Sequence, residues 1–563
     1  MKSELHTRAI FAFFLLFAGV IAWKLGYLQI KQGSYYKALA IGQQISFEEN
    51  NGERGNIFFS DKTLLAQTQQ KQVARIFSTK IATEKIVDVS EKLASIFNEP
   101  NDVILQKISN GTYKEDVTDE QIEKIKKENW DFITISEIPS RVYPNKNIAS
   151  HILGFVNEDG EGQYGIEAYY NDILQGKADV TEQTKSPFGY LVFLSQKDDT
   201  LDLKGADLIL TLDFQIQSFA EKTLNTAMEK WQADTGQVLI LEPSTGKIIT
   251  ACFLPDFNPN QYQDYSHENQ ISVFLNSSIQ KIFEPGSVMK PITMAAGLEE
   301  NLVTPTTTYE DTGSANLGGP LIYNFGKKKY GEQTMTGVLE KSLNTGAVFV
   351  EQKLGGKKLL QYFEKFGFFE KTGIDLSGEV FSNNETLKNG YPRDFASASF
   401  GQGIELTSLQ FIRAFGALAN QGKLMKPYIV EKIVEKDGVQ KITQPETQRQ
   451  VISPETASKI TSMLVSVVEN GGGRHTKQKG YYIAGKTGTA QISEKGAGYS
   501  ETKTFQSFIG YFPAYNPKYL IFVGLNNPKD VTTAEISSAL IFNDIAKYII
   551  DTKQIPPDYS ATP

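Results

Sequence analysis

The stretch Glu284-Pro-Gly-Ser-Val-Met-Lys-Pro-Ile-Thr-Met-Ala-Ala-Gly-Leu298 decides how this chain is read. Pro285-Gly286 is a turn signal, and the apolar-periodic run after it predicts a helix. Pro291 fits only in the first turn of that helix, where its missing N–H has no partner to lose. Ser287 then stands at the helix start, and Lys290, one turn on, faces the same side. A hydroxyl beside an amine in that arrangement is a nucleophile beside a proton acceptor.

Two later segments complete an ordered triplet: Ser342-Leu-Asn344 and Lys486-Thr-Gly-Thr489. The first can supply a proton relay. The second, flanked by Tyr481-Tyr-Ile-Ala-Gly485 and Ala490-Gln-Ile492, reads as a strand able to form a carboxylate-binding wall. Together they describe a serine acyltransferase that uses neither histidine nor metal. Each segment alone is weak evidence. Ser-x-x-Lys recurs at Ser34–Lys37, Ser244–Lys247, Ser278–Lys281 and Ser500–Lys503, Ser-x-Asn at Ser382–Asn384, and Lys-Thr-Gly at Lys371–Gly373. Context separates them. Ser34 adjoins the apolar N-terminal segment, Ser244 lies in a turn between two apolar runs, and Lys371 follows a helix end.

At 563 residues, two or three domains are expected, and 40% hydrophobic with 22% charged residues is enough for substantial cores. The 57 basic and 65 acidic residues give a net charge of −8, which argues against nucleic acid as a partner. The run Lys327-Lys-Lys329 reads as a solvated turn. The single cysteine, Cys252, excludes an intramolecular disulfide and sits in an apolar strand pattern as an inert thiol. His6, His151, His267 and His475 show no ligand spacing, so neither a metal nor a cofactor is expected.

Ala9 to Trp23 carries no charge, and the apolar pattern continues to Ile30 past Lys24. As one helix it can span a bilayer, with Lys24 snorkelling and Trp23 and Tyr27 at the interface. Lys2 and Arg8 precede it, so a cytoplasmic N-terminus and an exported bulk are expected. A cleavable signal peptide ending near Ala22 is the alternative, but the apolar pattern beyond Ala22 favours an uncleaved anchor. Helices are expected around 81–97 and 119–129. A texture change at Asp207 begins a second region: a helix over 213–231, strands over 236–241, 247–253, 481–492, 504–512 and 519–525, and a closing helix over 534–550. Asp179–Ala206, polar with one apolar island at Tyr190–Leu194, reads as a connecting segment.

On these residues the chain resembles the class B penicillin-binding proteins, the monofunctional transpeptidases of peptidoglycan synthesis. The resemblance runs through the anchor, Arg54-Gly-Asn-Ile57, Arg141-Val-Tyr-Pro144, Ile152-Leu-Gly-Phe-Val156, Gly165-Ile-Glu167, Pro255-Asp-Phe-Asn-Pro-Asn260, the triplet, Phe400-Gly-Gln-Gly403 and Ala419-Asn-Gln-Gly422. It departs at Phe58-Phe-Ser-Asp61, where the family often has Asp-Arg, and at Thr250-Ala-Cys-Phe253.

The resemblance implies a multidomain α/β protein. Residues 1–8 are a cytoplasmic N-terminus, 9–30 a transmembrane anchor, 31–204 a non-catalytic α+β pedestal and 556–563 a tail. Residues 205–555 form the transpeptidase domain, with a five-stranded antiparallel sheet flanked by helices. Arg54, Arg141 and Glu167 look like ionic staples between pedestal and catalytic domain.

The implied reaction acylates Ser287 with a stem peptide ending in D-Ala-D-Ala and transfers it to an amine of a neighbouring stem. Lys290 is the base, Ser342 the relay, Asn344 a holder of Lys290 and substrate amide, and Lys486 the cation. Thr487, Gly488 and Thr489 take the substrate carboxylate and backbone. A lysine has an ordinary pKa of about 10.4, so neutrality of Lys290 near pH 7 requires burial or a second cation, worth about 4 kcal/mol.

Implied partners are peptidoglycan stem peptides, β-lactams as covalent inhibitors, a SEDS-family glycosyltransferase with other envelope-synthesis proteins, and the inner membrane. The stretch Leu153–Gly160 resembles septal members of the family. A β-lactamase would use the same acylation, but class A enzymes carry Asp where Leu343 stands and need a deacylating Glu. A D,D-carboxypeptidase differs only in using water as acceptor. A bifunctional protein is disfavoured because 31–204 lacks a glycosyltransferase-like acidic motif, and a non-catalytic envelope scaffold is disfavoured by the intact triplet.

Overall fold

The structure, a computed structural model, describes residues 2–32, 45–176, 178–185, 191–192, 204–265, 270–318, 320–494 and 498–559. Two compact units emerge, Met1–Arg54 with Gln175–Gly205, and Gly55–Leu174 with Ala206–Pro563. Of the expected features, Ser34–Lys37, most of the 179–206 connecting segment and the last four residues of the tail lie outside the described residues.

The first unit contains helix α1 (Lys2–Gly26), continued by a π-turn over Tyr27–Lys31. Its 22-residue stretch Ile10–Lys31 contains an 18-residue window with a mean hydropathy of 1.9, apolar and long enough to cross a membrane once. The unit also holds a small antiparallel sheet of Ile45–Asn51, Ala178–Lys185 and Leu191–Val192.

The second unit opens with β1 (Ile57–Phe58) and the long β2 (Leu64–Ile76). Helix α2 (Ile86–Phe97), strand β3 (Tyr113–Asp116), helix α3 (Asp119–Glu128) and strand β4 (Ile133–Val142) follow. Thr118 and Gln121 form a reciprocal capping box that starts α3 where its sequence predicts. Helix α2 starts at Ile86 rather than 81, because a 3-10 turn over Thr83–Lys85 occupies the approach. Ala74, Ile76, Leu93, Ile104 and Ile125 close a small core.

Behind it, Arg141 Nε donates to Glu167 Oε1 at 2.8 Å, with the two side chains 4% and 0% exposed. Arg141 Nη1 also donates to Gly55 O. The Arg141–Glu167 staple thus ties segments of the expected pedestal to one another. The junction with the catalytic region is held differently: Tyr143 N donates to Asn260 Oδ1 and Asn260 Nδ2 returns a bond to Tyr143 O, both at 2.9 Å.

Strand β5 (Asp207–Leu210) lies parallel to β1 and antiparallel to Val430–Val434. One sheet therefore runs without a break across the expected 204/205 boundary. Next come α4 (Phe214–Trp231), capped by Asp213, and strands β6 (Thr235–Leu241) and β7 (Ile248–Leu254). Helices α5 (Lys290–Glu299), α6 (Asn344–Leu354), α7 (Ser408–Ala419) and α8 (Pro454–Asn470) fill the interval. Strands β8 (Ala484–Glu494), β9 (Gly498–Phe512) and β10 (Tyr519–Asn526) and helix α9 (Ser538–Lys553) complete the unit.

The expected five strands form one antiparallel sheet in the order β7-β6-β10-β9-β8. Side chains alternate between its faces, as a pleat of period two requires. Val238, Ile240, Leu254, Ile521, Val523 and Leu525 share a core with α4 and α9. Leu239, Leu241, Phe253, Leu520 and Phe522 join α5, α7 and α8 on the other face. Every residue of α7 is buried, which explains why its sequence is apolar nearly all round.

Removing one partner of a fully buried ion pair strands the other charge, at a cost of about 3–5 kcal/mol. Arg141→Met is expected to lose about that much stability in denaturant titrations, and Arg141→Met with Glu167→Leu to regain a large part of it. A single variant as stable as the wild type would show that the pair does not hold the pedestal.

Candidate active site

Ser287 lies in a 3-10 turn, Gly286–Met289, that leads directly into α5 at Lys290, so the expected helix begins three residues late and tighter. The turn depends on Gly286, which adopts φ +63°. A Cβ there would meet Ala490 Cβ at 2.8 Å, while its N–H bonds Gly401 O at 3.0 Å. Gly488 serves the same end from the strand side. A Cβ on Gly488 would stand 2.6 Å from Ser507 Oγ and 3.0 Å from Val288 Cγ1, so glycine lets β8 lie against the turn carrying Ser287.

The triplet converges. Lys290 Nζ is 3.0 Å from Ser287 Oγ and 3.2 Å from Ser342 Oγ, and it also donates to Ser342 O. Lys486 Nζ reaches Ser342 Oγ from the other side at 3.0 Å and Thr487 O at 3.0 Å. Ser342 is thus shared by two amines, each only 1% exposed. Its backbone sits at φ +57°, a left-handed conformation that costs a non-glycine residue of order 1 kcal/mol. The hairpin between helix Met335–Glu340 and α6 imposes it, with Leu343 N bonding Val338 O at 2.9 Å.

Burial in a low-dielectric site disfavours a charged amine, and a second cation adds to this. Burial, and then Lys486, hold the Lys290 pKa well below its ordinary value. Burial brings Lys486 down to about 7, opposed by the Glu535 carboxylate.

The remaining predicted residues are placed as follows. Asn344 opens α6, and its Nδ2 donates to Tyr323 O at 2.8 Å; the expected bond to Lys290 is not among its described contacts. Thr487 Oγ1 lies 3.4 Å from Lys486 Nζ, and Thr489 Oγ1 accepts from Ala534 N at 3.3 Å.

The other copies among the described residues are occupied elsewhere. Lys247 pairs with Glu431, Ser278 Oγ donates to Asn276 Oδ1, and Ser500 Oγ accepts from Lys503 N. Thr372 Oγ1 donates to Glu379, and Ser382 Oγ to Glu405.

Sequence reasoning missed two supports. Glu284 Oε1 accepts from Gly403 N at 3.0 Å and from Tyr499 OH at 3.1 Å, bridging the segment before Ser287 to β9. Asp311, fully buried, accepts from Thr345 Oγ1 at 2.8 Å and so fixes the start of α6. The position of Glu284 inside the decisive stretch was its available signal. Asp311 offered only an Asp-Thr-Gly turn.

Comparison with known proteins agrees with this geometry. Residues 236–547 match the family described as "Penicillin binding protein transpeptidase domain", and 49–210 match "Penicillin-binding Protein dimerisation domain". The chain is 33% identical over 548 residues to stage V sporulation protein D of Bacillus subtilis, covering 94% of this chain and 83% of that one. It is 26% identical to penicillin-binding protein PbpB of Mycobacterium tuberculosis, covering 95% and 83%. Among solved structures, penicillin-binding protein 3 of M. tuberculosis complexed with aztreonam superposes with a TM-score of 0.69 at 24% identity, covering 92% of this chain and 99% of that one. Penicillin-binding protein 2X of Streptococcus thermophilus gives 0.71 at 20%, covering 90% and 81%. With the Ser-x-x-Lys, Ser-x-Asn and Lys-Thr-Gly segments gathered at one sheet edge and both family domains matched, the chain belongs to the class B penicillin-binding proteins.

Proposed function

We propose that this peptidoglycan D,D-transpeptidase works through a Ser287 acyl-enzyme. The contact chain Ser287–Lys290–Ser342–Lys486 carries the reading, since it supplies a nucleophile, a neutral amine beside it and a hydroxyl relay to a second amine. Ser287 Oγ attacks the carbonyl of the penultimate D-Ala and its proton passes to Lys290. The peptide C–N bond breaks, the terminal D-Ala leaves with that proton on its amine, and the acyl group stays on Ser287. An amine of a neighbouring stem then attacks the ester carbonyl, the Ser287 Oγ–C bond breaks, and one proton of the attacking amine passes to Ser287 Oγ as the cross-link forms.

Lys486, Thr487 and Thr489 take the terminal carboxylate, and Asn344, held by Tyr323 O, offers its side-chain oxygen to the substrate amide. Backbone N–H groups of Ser287 and Thr489 receive the oxyanion, each such donor being worth about 3 kcal/mol. In this reading residues 1–8 face the cytoplasm, 9–30 anchor the protein in the inner membrane, and the 31–204 pedestal and 205–555 catalytic domain stand outside, followed by the 556–563 tail. The partner is a SEDS-family glycan polymerase, and the setting is septal wall synthesis, on the strength of Leu153–Gly160.

Incubation with benzylpenicillin followed by intact mass measurement tests the assignment. A stable adduct is expected on the wild type and none on Ser287→Ala. Adduct on both proteins, or consumption of the drug without adduct, would remove Ser287 from the role or make the protein a hydrolase.

The lysines set the pH dependence. A lysine whose pKa is lowered keeps its proton only below the lowered value, so Lys486 loses its charge as pH rises through about 7. The second-order rate constant of acylation by benzylpenicillin, which bears a carboxylate, is therefore expected to fall on the alkaline side of about 7. On the acid side it falls only well below the ordinary lysine range, where Lys290 becomes protonated. Lys486→Arg keeps its charge and is expected to lose the alkaline limb. An unchanged limb would assign it to another group.

A further inference from the structure

The Lys327-Lys-Lys329 run, expected to be a solvated turn, lies in a built loop beside the active site. Thr308–Asp311 pairs with Gly331–Thr334, and Ser314–Ala315 pairs with Ile322–Tyr323. Two anchors hold this loop to α6. Ile322 is buried in a cluster with Ala347 and Val348. Above it, the Asp311 carboxylate accepts from Gly313 N, Asn324 Nδ2, Tyr330 N and Thr345 Oγ1, at 2.8–3.1 Å. Asn324 Nδ2 also holds Lys328 O, and Asn324 Oδ1 takes Thr345 N. A buried carboxylate with these donors fixes the backbone around the lysines.

What the loop presents is unusual for a protein of net charge −8. Phe325 is 70% exposed, and Tyr323 and Tyr330 are also open to solvent. Lys327 Nζ stands 5.1 Å over the Tyr323 ring and Lys341 Nζ 6.0 Å from Tyr330. Lys328 and Lys329 add two more exposed cations. Glu310 and Glu332 face each other on the strands below. Exposed large apolar side chains gathered at one place mark a binding surface. The edge is joined to the catalytic residues at two points: Tyr323 O accepts from Asn344, and Lys341 precedes Ser342 in the chain.

We infer that the loop edge formed by Tyr323, Phe325, Lys327–Lys329, Tyr330 and Lys341 binds the anionic glycan strand that carries the stem peptide. This rests on the transpeptidase reading, in which the substrate polymer combines sugar rings, whose C–H faces suit aromatic planes, with free carboxylates on its stems. The cations complement those carboxylates. The rigid loop sets the strand at a fixed distance from Ser287, so a stem enters the site from a strand already docked.

Full-length protein in detergent is titrated into fluorescent, uncross-linked glycan strands bearing pentapeptide stems. The variants are Lys327→Gln/Lys328→Gln/Lys329→Gln and Phe325→Ala. Each is expected to bind the strands roughly tenfold more weakly, and the triple variant to lose most of its salt dependence. Acylation by benzylpenicillin, which has no glycan, is expected to proceed at the wild-type rate and also reports that the variants are folded. Equal strand affinity in wild type and variants overturns the inference. So does a loss confined to binding of phosphatidylglycerol vesicles, which would make the edge a membrane contact. Failure of benzylpenicillin to acylate the wild type would instead overturn the transpeptidase assignment.

Discussion

Two buried lysine amines sharing one serine hydroxyl are the constraint on which the rest depends. An ammonium taken out of water costs several kcal/mol unless it is paired, and here the nearest charged group to Lys290 is another lysine. The pair lowers that cost by letting protons leave, which turns a structural liability into a base. Each element around them maintains this condition. Helix α5 delivers Lys290 from a fully buried face, the left-handed turn at Ser342 pushes its hydroxyl between the amines, and β8 brings Lys486 along the sheet edge. The glycines at 286 and 488 are the points where these pieces come too close for any side chain.

Much of this was legible because the signals were local. β6, β7 and β10 stand out as short, nearly continuous apolar runs because helices cover both faces of their sheet, and the helical run from 213 to 231 keeps its pattern over its whole length. Pro291 placed Ser287 and Lys290 at a helix start because proline is tolerated only there. The relation of the three motifs was open to recognition but not to derivation, since Ser342 and Lys486 are 144 residues apart in the chain and meet only through the fold.

The less legible parts are polar contacts between distant segments. Nothing near Asn344 in sequence points to Tyr323 O, and Asn260 carries no mark that it exchanges bonds with Tyr143. Gly488 was expected to make room for substrate, whereas its missing side chain makes room for the protein's own Val288 and Pro285. Asp311 is the clearest case: buried carboxylates are rare enough to be informative once burial is known, and burial of a single polar residue in a loop has no periodic signature.

The sheet that joins β1, β5 and Val430–Val434 bears on how such proteins change over time. A strand hydrogen-bonded along both edges belongs equally to its two neighbours, so the segment at 207–210 is no spacer that can be lengthened, shortened or cut. Pedestal and catalytic domain are therefore inherited as one piece. A chimera that swaps the pedestal must carry β1, β5 and the Val430 strand with it in register. Variation is freer at the tips of the loops, where an insertion meets no ladder.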